Sequence, residues 1–303
     1  MPARMCNFSR DVQLGNVFDT RIMILCVGLT PAWQRTMEFD RLRVGEVNRA
    51  TRVTLTASGK GTNVARVLRT LGADVVLTGF ADDEFARALP GIKCAFVPVR
   101  QPTRICQTLV AGAITELVEE AAPISPAEWR AFFAQFKRLV TGAKLVVISG
   151  KLPPRAPADL YGKLVRCGVP VIIDSQGAPM LRAVRAGVLL AKLNEEELAA
   201  TPGLRTAGAE NLVVTAGAKG ARLINRAGTW SFWPPRISAL NAIGSGDAML
   251  AGIAHALARG ESPVEAVRFG VACGAANALT LTPGTLSRRD VRSICLQVTV
   301  KRR

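Results

Sequence analysis

The segment Asn241-Ala242-Ile243-Gly244-Ser245-Gly246-Asp247-Ala248-Met249-Leu250-Ala251-Gly252 joins a glycine-rich turn directly to an apolar stretch of helical character. The first N–H groups of a helix have no partner within the helix, and the helix dipole favours negative charge there. Gly244 and Gly246 let a phosphate approach the backbone closely. Asp247 lies at the mouth of the predicted helix, where its carboxylate could accept a proton from a hydroxyl that attacks a phosphoryl group. Taken alone, the segment is more typical of an ordinary helix with an N-terminal carboxylate.

Apolar runs of strand length alternate with helix-like stretches upstream of this segment. The strand-like runs lie at 23–27, 74–78, 145–149, 169–174 and 212–215. Helix-like stretches separate them, for example at 63–71, which ends at Gly72, and at 126–140. Continuous apolar strands between helices are typical of a parallel sheet that helices cover on both faces. The sequence therefore predicts an α/β fold.

Two segments break this rhythm, because apolar and polar residues alternate in them. They lie within about 39–56 and 96–114, and such alternation is typical of half-exposed strands. We predict that they form a small β-sheet that projects from the main fold as a lid. Surface hairpins of the main sheet are the alternative. Pairing of two lids would cover the exposed edges, so a homodimer through the lid is an expectation.

Length and composition set the domain plan. The chain has 303 residues, of which 49% are hydrophobic and 20% charged, and this suffices for a buried core. No Gly/Ser/Pro-rich linker divides it, so we predict one domain over 22–295. A flexible N-terminal tail at 1–21 and a basic C-terminal tail at 296–303 flank that domain. No uncharged apolar run of about 18 residues and no signal-peptide pattern is present, which argues against a membrane span and favours the cytoplasm.

Charge and residue counts narrow the class of partner. The net charge of +16 is consistent with an anionic partner, such as a nucleotide, a sugar phosphate or a nucleic acid. The arginines are scattered, however, and no basic run with interleaved aromatic residues occurs, so nucleic acid is not expected as a partner. Seven cysteines without a CxxC pair indicate reduced thiols. The single histidine argues against multi-histidine zinc sites.

Five further motifs precede the glycine-rich segment in a fixed order. They are ASGKGTNVA at 57–65, TR at 103–104, VISGKLP at 147–153, KLNEEEL at 192–198 and TAGAKGA at 215–221. With these motifs the chain resembles the ribokinase-like (PfkB) carbohydrate kinases over about residues 23–286, and most of all the branch of 1-phosphofructokinase and tagatose-6-phosphate kinase. Ser245 stands where that family usually has alanine. The resemblance implies a three-layer α/β/α fold with a mostly parallel central sheet and a small β-sheet lid.

The resemblance also implies phosphoryl transfer from ATP, with Mg²⁺, to a hydroxyl of a sugar or sugar phosphate. Asp247 would be the catalytic base, and the backbone amides of Gly244, Ser245 and Gly246 would form the anion hole. The residues expected to bind the cofactor are Lys192, Asn194, Glu197, Thr215, Gly217, Gly220 and Asn277, the last of them near the adenine. Glu197 would hold Mg²⁺ through water; a solvated helix face is the alternative for this glutamate.

On the acceptor side, the same family pattern points to the loop and helix that contain Gly59, Lys60 and Asn63. Arg104 on the lid is a candidate partner for a substrate phosphate, because its guanidinium can donate two parallel hydrogen bonds. The alternative is one more surface arginine.

Two residues depart from the family pattern on this side. Gln34 replaces an aspartate that holds sugar hydroxyls, and an amide both donates and accepts where a carboxylate only accepts. Lys151 replaces a serine and adds a positive charge that could meet a phosphate or carboxylate of the acceptor. Together they put an ordinary fructose-phosphate acceptor in doubt.

Three rival functions remain open on the sequence. The first is a kinase for a nucleoside or another non-sugar alcohol. The second is a sensor that binds a nucleotide or sugar phosphate without turnover, which Gln34 and Lys151 alone favour and the intact Asp247 opposes. The third is a nucleic-acid binder, which only the net charge favours.

Overall fold

The computed structural model describes residues 23–303, so the predicted flexible tail at 1–21 lies outside the described residues. The strands are β1 (Met23–Gly28), β2 (Ala32–Glu38), β3 (Arg52–Ser58), β4 (Asp74–Phe80), β5 (Lys93–Val97), β6 (Ile105–Ala111), β7 (Ala113–Val118), β8 (Leu145–Ser149), β9 (Val171–Asp174), β10 (Leu190–Asn194), β11 (Asn211–Thr215), β12 (Ala221–Asn225), β13 (Gly228–Trp233) and β14 (Thr299–Arg302). The helices are α1 (Lys60–Leu71), α2 (Asp83–Arg87), α3 (Pro126–Val140), α4 (Leu160–Val165), α5 (Gly177–Arg185), α6 (Glu195–Ala199), α7 (Ser245–Ala258), α8 (Pro263–Ala278) and α9 (Arg288–Gln297).

The larger sheet has the strand order β14-β13-β12-β11-β10-β9-β8-β1-β4-β5. The strands from β11 to β5 in this order pair in parallel, and β12, β13 and β14 add to one side as antiparallel strands. The predicted mostly parallel sheet is thus confirmed. Because the parallel strands share one direction, their carboxyl ends meet at one edge of the sheet, where ligands of open α/β sheets bind.

Helices cover both faces of this sheet and give three layers, as predicted. In β1, Ile24 and Cys26 pack into the hydrophobic cluster under α1, α7, α8 and α9. Their neighbours Leu25 and Val27 pack into the cluster under α3, α4 and α5. Successive side chains of a strand point to opposite faces, so an uninterrupted apolar strand fills both halves of the core.

Helices α7 and α8 pack against each other through glycines. A Cβ atom at Gly252 would lie 2.7 Å from the Sγ of Cys273 and 2.9 Å from the Cα of Gly270. A Cβ at Gly274 would lie 3.0 Å from the backbone oxygen of Ser245. No larger residue fits at such distances, and this close approach fixes the start of α7 relative to the core.

A second sheet, with the order β3-β2-β6-β7, confirms the predicted lid as a separate sheet. Its predicted extent is wrong in two respects. Strand β2, which directly follows the first core strand, is central in the lid, while residues 39–51 form no strand. Strand β5 belongs to the larger sheet. Strand β2 reads AWQRTME and is held by ladders to β3 and β6 on both sides, so it carries little apolar signal.

The predicted basic tail at 296–303 is also wrong. Helix α9 continues to Gln297, and β14 pairs antiparallel with β13 at the edge of the larger sheet. The guanidinium of Arg302 lies over the Trp230 ring, 5.4 Å from its centroid. Lysine and arginine are common on edge strands, because they discourage pairing with another chain. The basic residues of β14 are therefore compatible with a strand as well as with a tail.

No helix within residues 23–303 combines the length and the apolar character needed to cross a bilayer.

Candidate active site

Helix α7 begins at the carboxyl edge of the larger sheet with open amides. Gly244 precedes it at φ 80°, and a Cβ at this position would lie 2.9 Å from the backbone nitrogen of Gly284. The Ser245 N–H donates to the Ala242 carbonyl at 3.2 Å. No described side chain caps the helix, so the N–H groups of Gly246 and Asp247 face outward without an intrahelical partner. The amides of Gly246 and Asp247 are therefore available to an anion, whereas the Ser245 amide, which was predicted for the anion hole, is used within the turn.

The carboxylate of Asp247 is buried at this helix mouth, with 6% of the residue exposed. Asn63 Nδ2, on α1, donates to its Oδ2 at 2.9 Å. Burial raises the pKa of Asp247 to about 6, although the ammonium group of Lys60 opposes the shift. The group is therefore ionised at neutral pH and its second oxygen, Oδ1, remains available to take up a proton.

The start of α1 brings the predicted acceptor residues to the same place. Gly59 precedes the helix at φ 105°, and a Cβ there would lie 3.0 Å from the Cα of Pro31. Ser58 Oγ donates to Asn63 Oδ1 at 3.1 Å. The ASGKGTNVA motif thus forms a tight turn that presents Lys60 and Asn63 towards Asp247.

A cluster of charged side chains lies beside this turn, in which Asp174 and Lys192 are buried and Lys60 is partly exposed. Lys60 Nζ donates to Asp174 Oδ1 at 2.9 Å and lies 3.6 Å from Glu197 Oε1. Lys192 Nζ donates to the other oxygen, Asp174 Oδ2. Burial raises the pKa of Asp174, but Lys192 and Lys60 lower it more, to about 2. A Cβ at Gly246 would lie 3.3 Å from Lys192 Nζ, so this ammonium lies directly beside the first turn of α7.

Asp174 is the site residue that the sequence analysis missed. It is 1% exposed and ends β9, next to Lys192 of β10 in the strand register. The available signal was a single acid that closes the apolar run VIID at the carboxyl end of a predicted parallel strand. Its two lysine partners are 114 and 18 residues away in the chain, which no local pattern reveals.

Asn194 and Glu197 form a capping box at the start of α6. Asn194 Oδ1 accepts from the Glu197 N–H at 2.7 Å, and Glu197 Oε2 accepts from the Asn194 N–H at 2.8 Å. The Glu197 side chain is 17% exposed, against 57% for Glu195. Glu197 is therefore held inward, near Lys60, rather than on a solvated helix face.

The donor set suits Mg²⁺ held mainly by water and phosphate. Mg²⁺ in phosphoryl-transfer sites takes one or two carboxylates and completes its shell with water and substrate phosphates. Glu197 offers one such carboxylate at the cavity. Within residues 23–303 no group of three or more His, Cys, Asp or Glu side chains could hold a metal ion by itself.

An open cavity of about 410 Å³ lies beside Lys60, Asn194 and Glu197. Its lining residues are Lys60, Gly150, Lys151, Ser175, Gln176, Asn194, Glu196, Glu197 and Ala200. Residues predicted for the acceptor, Lys60 and Lys151, and for the cofactor, Asn194 and Glu197, thus share one cavity.

The predicted nucleotide loop lies next to α6. Thr215 ends β11 and pairs with Asn194 in the strand register, so the two follow each other along the sheet edge. Gly217 has φ 57°, and a Cβ at Gly220 would lie 1.9 Å from the Phe232 carbonyl oxygen. Only glycine allows this turn between β11 and β12.

The structure places Asn277 away from any open surface and corrects its predicted place near the adenine. The residue is fully buried. Its Nδ2 donates to the Ile243 carbonyl at 2.9 Å and to Ser245 Oγ at 3.2 Å, and its Oδ1 accepts from the Gly284 N–H at 2.8 Å. Because both ends of its amide are hydrogen-bonded, Asn277 supports the glycine-rich turn from the protein interior.

Two further residues that were predicted to contact the acceptor are instead hydrogen-bonded within the protein. Gln34 is 6% exposed, and its Nε2 donates to Thr108 Oγ1 at 2.7 Å. Arg104 donates to the carbonyl oxygens of Pro31, Thr30 and Glu119 at 3.3, 3.1 and 2.6 Å. These three bonds tie the guanidinium to the base of the lid instead of presenting it to a phosphate.

The sequence matches the pfkB family carbohydrate kinase profile over residues 21–287. Escherichia coli phosphofructokinase-2 in complex with fructose-6-phosphate is 26% identical, with a TM-score of 0.80 over 91% of this chain and 98% of that one. The tetrameric inhibited form of the same enzyme is 25% identical, with a TM-score of 0.81 over 92% and 99%. Ribokinase from Thermotoga maritima is 19% identical, with a TM-score of 0.72 over 92% and 100%, and shares the fold.

Proposed function

Because the chain belongs to the pfkB family of carbohydrate kinases, we propose that it transfers the γ-phosphoryl group of ATP to a hydroxyl of a sugar or sugar phosphate. The observation that carries the proposal is a buried carboxylate, Asp247, held by Asn63 at the open first turn of α7. A base and an anion hole on one helix turn are what phosphoryl transfer to an alcohol requires.

Asp247 acts as the base. The acceptor hydroxyl attacks the γ-phosphorus, the bond from that phosphorus to the bridging oxygen of ADP breaks, and Asp247 Oδ1 takes the hydroxyl proton. Oδ2 is already engaged by Asn63 Nδ2 at 2.9 Å. The raised pKa of about 6 makes this carboxylate a stronger base than an exposed aspartate while keeping it ionised at neutral pH.

The first turn of α7 stabilises the charge of the transferring group. The N–H groups of Gly246 and Asp247 donate to its oxygens, and Lys192 adds a positive charge beside them. Asp174 holds Lys192 in place. These groups are ordered before substrate binds, so they need little reorganisation during the reaction.

Glu197 is the residue that would hold Mg²⁺, through water. Bound there, the cation would neutralise charge on the donor phosphates. Lys60, between Asp174 and Glu197, contributes a further positive charge on the same wall.

The cavity favours an acceptor that itself carries a phosphate. Lys151 and Lys60 both line it, and an ammonium is a good partner for a phosphate oxygen. The Gln34 amide is hydrogen-bonded within the lid, so it does not take over the contact with sugar hydroxyls that the family's aspartate makes. E. coli phosphofructokinase-2, solved with fructose-6-phosphate, is a precedent for a sugar-phosphate acceptor on this fold.

A homodimer through the lid is the second part of the proposal. Val53, Leu55 and Leu117 are 55%, 50% and 49% exposed. The strand register puts them on one face of the lid sheet. A second lid packed on this face would cover the apolar surface.

Coupled ADP release with Mg-ATP, over a panel of sugars, sugar phosphates and nucleosides, tests the kinase reaction. Asp247→Asn should abolish turnover of any acceptor that is phosphorylated. Asp290→Asn is the matched control, because Asp290 lies in the first turn of α9 and belongs to no site. Turnover that survives Asp247→Asn would contradict the role of this residue, and preference for nucleosides would contradict the acceptor class.

A further inference from the structure

Arg66, one turn after Asn63 on α1, is a partly buried cation that the mechanism above does not use. Its guanidinium donates to Asn63 Oδ1 at 3.3 Å, to the Pro283 carbonyl at 3.1 Å and to the Ala57 carbonyl. All three acceptors are neutral, and no carboxylate in residues 23–303 lies within ion-pair distance of it. Burial lowers the pKa of Arg66, yet an arginine stays protonated in proteins. Taking a charge partly out of water without an anionic partner costs stability.

The first bond fixes the orientation of the Asn63 amide. Asn63 Oδ1 accepts from both Ser58 Oγ and Arg66 Nη1. Rotating the amide by half a turn would place its NH₂ group against these two donors. Asn63 therefore keeps Nδ2 towards Asp247 Oδ2, at 2.9 Å, and the lone pairs of Asp247 Oδ1 keep one direction.

The other two hydrogen bonds of Arg66 go to the carbonyl oxygens of Ala57 and Pro283. Ala57 lies near the end of lid strand β3. Pro283 belongs to the loop that supports the glycine turn, since a Cβ at Gly244 would lie 3.1 Å from its Cα. In the same loop, Gly284 packs so closely on Asn63 that a Cβ there would lie 2.8 Å from the Asn63 Cα. The Arg66 guanidinium thus contacts lid strand β3, Asn63 and the Pro283 loop, which packs against the turn before α7.

We infer that Arg66 is a positioning residue for phosphoryl transfer, which fixes Asn63 so that the Asp247 base meets the acceptor hydroxyl in one orientation. The inference rests on the proposed function. The two are separable, because Asp247→Asn tests the base itself and Arg66 variants test only its orientation.

The first test compares Arg66→Met with Arg69→Met. Arg69 lies one turn further along α1 and is exposed, so its variant removes the same charge from the same helix. We expect Arg66→Met to lower kcat by about 10- to 100-fold, as a misplaced catalytic group does. The KM for ATP should change by less than about twofold, and Arg69→Met should match the wild type.

The pH profile separates positioning from general damage. The groups that face Asp247 are Lys60 and Asn63 from α1, Asp174 from β9 and Lys192 from β10. The Asn63 hydrogen bond lowers the pKa of Asp247. Losing the fixed amide should therefore move the acidic limb of kcat/KM to higher pH in Arg66→Met. A folded variant with the wild-type limb and the wild-type kcat would overturn the inference.

A double-mutant cycle shows whether Arg66 acts through Asn63. If it does, Asn63→Ala combined with Arg66→Met should be no slower than Asn63→Ala alone. Multiplied losses would overturn the inference. Should Arg66→Met fail to fold, Arg66→Lys replaces it in every arm, because lysine keeps the charge without the guanidinium fork. The same limb shift is then expected, and its absence counts against the inference.

Discussion

Asp247 and Asp174 are both buried at one edge of the sheet, yet their surroundings separate their pKa values. Burial raises the pKa of each carboxyl. Asp174 is in contact with two ammonium groups, which bring its pKa down to about 2, whereas Asp247 contacts a neutral amide and stays at about 6. Two neighbouring carboxyls whose pKa values are shifted in opposite directions are typical of a site in which one is the base and the other binds cations.

The pKa of Asp247 predicts the acidic limb of activity. Above about pH 6 the carboxylate is ionised and can accept the hydroxyl proton; below that pH it is protonated and cannot. We expect kcat/KM to fall about tenfold per pH unit on the acid side. The measurement is kcat/KM for the acceptor across pH, with saturating ATP. A limb near the ordinary aspartate pKa would contradict the raised pKa of Asp247.

The same carboxylate should cost stability. A carboxyl whose pKa is higher in the folded than in the unfolded state binds its proton more tightly when folded, so its ionised form destabilises the fold above that pKa. Asp247→Asn should raise the free energy of unfolding at neutral pH by up to about 3 kcal/mol. Urea unfolding measures this, and the gain should shrink as the pH falls below 6 and vanish below the ordinary aspartate pKa of 3.8. A less stable variant would contradict the prediction.

A methyl group added at Gly246 should lower activity without lowering stability. Its backbone is helical, so alanine suits it, but the new Cβ would lie 3.3 Å from Lys192 Nζ and would displace this ammonium from the first turn of α7. We expect Gly246→Ala to lower kcat by about 10-fold or more and to leave Tm unchanged or higher. Gly162→Ala on α4 is the control, since its Cβ meets nothing closer than 3.5 Å. It should leave kcat unchanged and, like Gly246→Ala, leave Tm unchanged or higher.

At the scale of elements, sequence reasoning succeeded where the signal is local. Helix α7 and the turn before α1 follow from glycines and helix-start residues that are neighbours in the chain. Strand β2 was missed, because its strand conformation comes from ladders on both sides rather than from apolar residues. Asn277, Arg104 and Gln34 were assigned to ligands, whereas each is used by backbone or side-chain groups up to 74 residues away.

Strand β14 predicts the effect of shortening the chain. A variant that stops at Val298 would expose the edge of β13 and remove the contact of Arg302 with Trp230. We expect a loss of about 1–3 kcal/mol in the free energy of unfolding and a greater tendency to aggregate. Activity per folded molecule should not change. Replacing Lys301 by serine, which keeps the strand, is the control, and a truncated chain as stable as the full one would contradict the prediction.

At the scale of the whole molecule, the exposed apolar face of the lid predicts the oligomeric state. Leu55→Asp should convert a dimer into a monomer, because a carboxylate in the centre of the buried face would lack a partner. Leu296→Asp on α9 alters a leucine that is even more exposed, 66% against 50%, and should leave the dimer intact. Light scattering during size-exclusion chromatography gives the mass. A wild-type monomer at micromolar concentration would exclude the lid dimer.

The glycine contacts between α7 and α8 have a mechanical consequence. They leave no room for a larger residue at Gly252, Gly270 or Gly274, so α7, the helix for which we propose the anion hole, is held firmly in place. The lid is compliant by comparison, since β7 is exposed along its whole length and β3 along much of it. An acceptor of unusual shape would therefore deform the lid and leave the phosphoryl geometry untouched. On the proposed function, lid residues can therefore contribute to the choice of acceptor, while the firmly packed helix α7 keeps the phosphoryl-transfer chemistry constant.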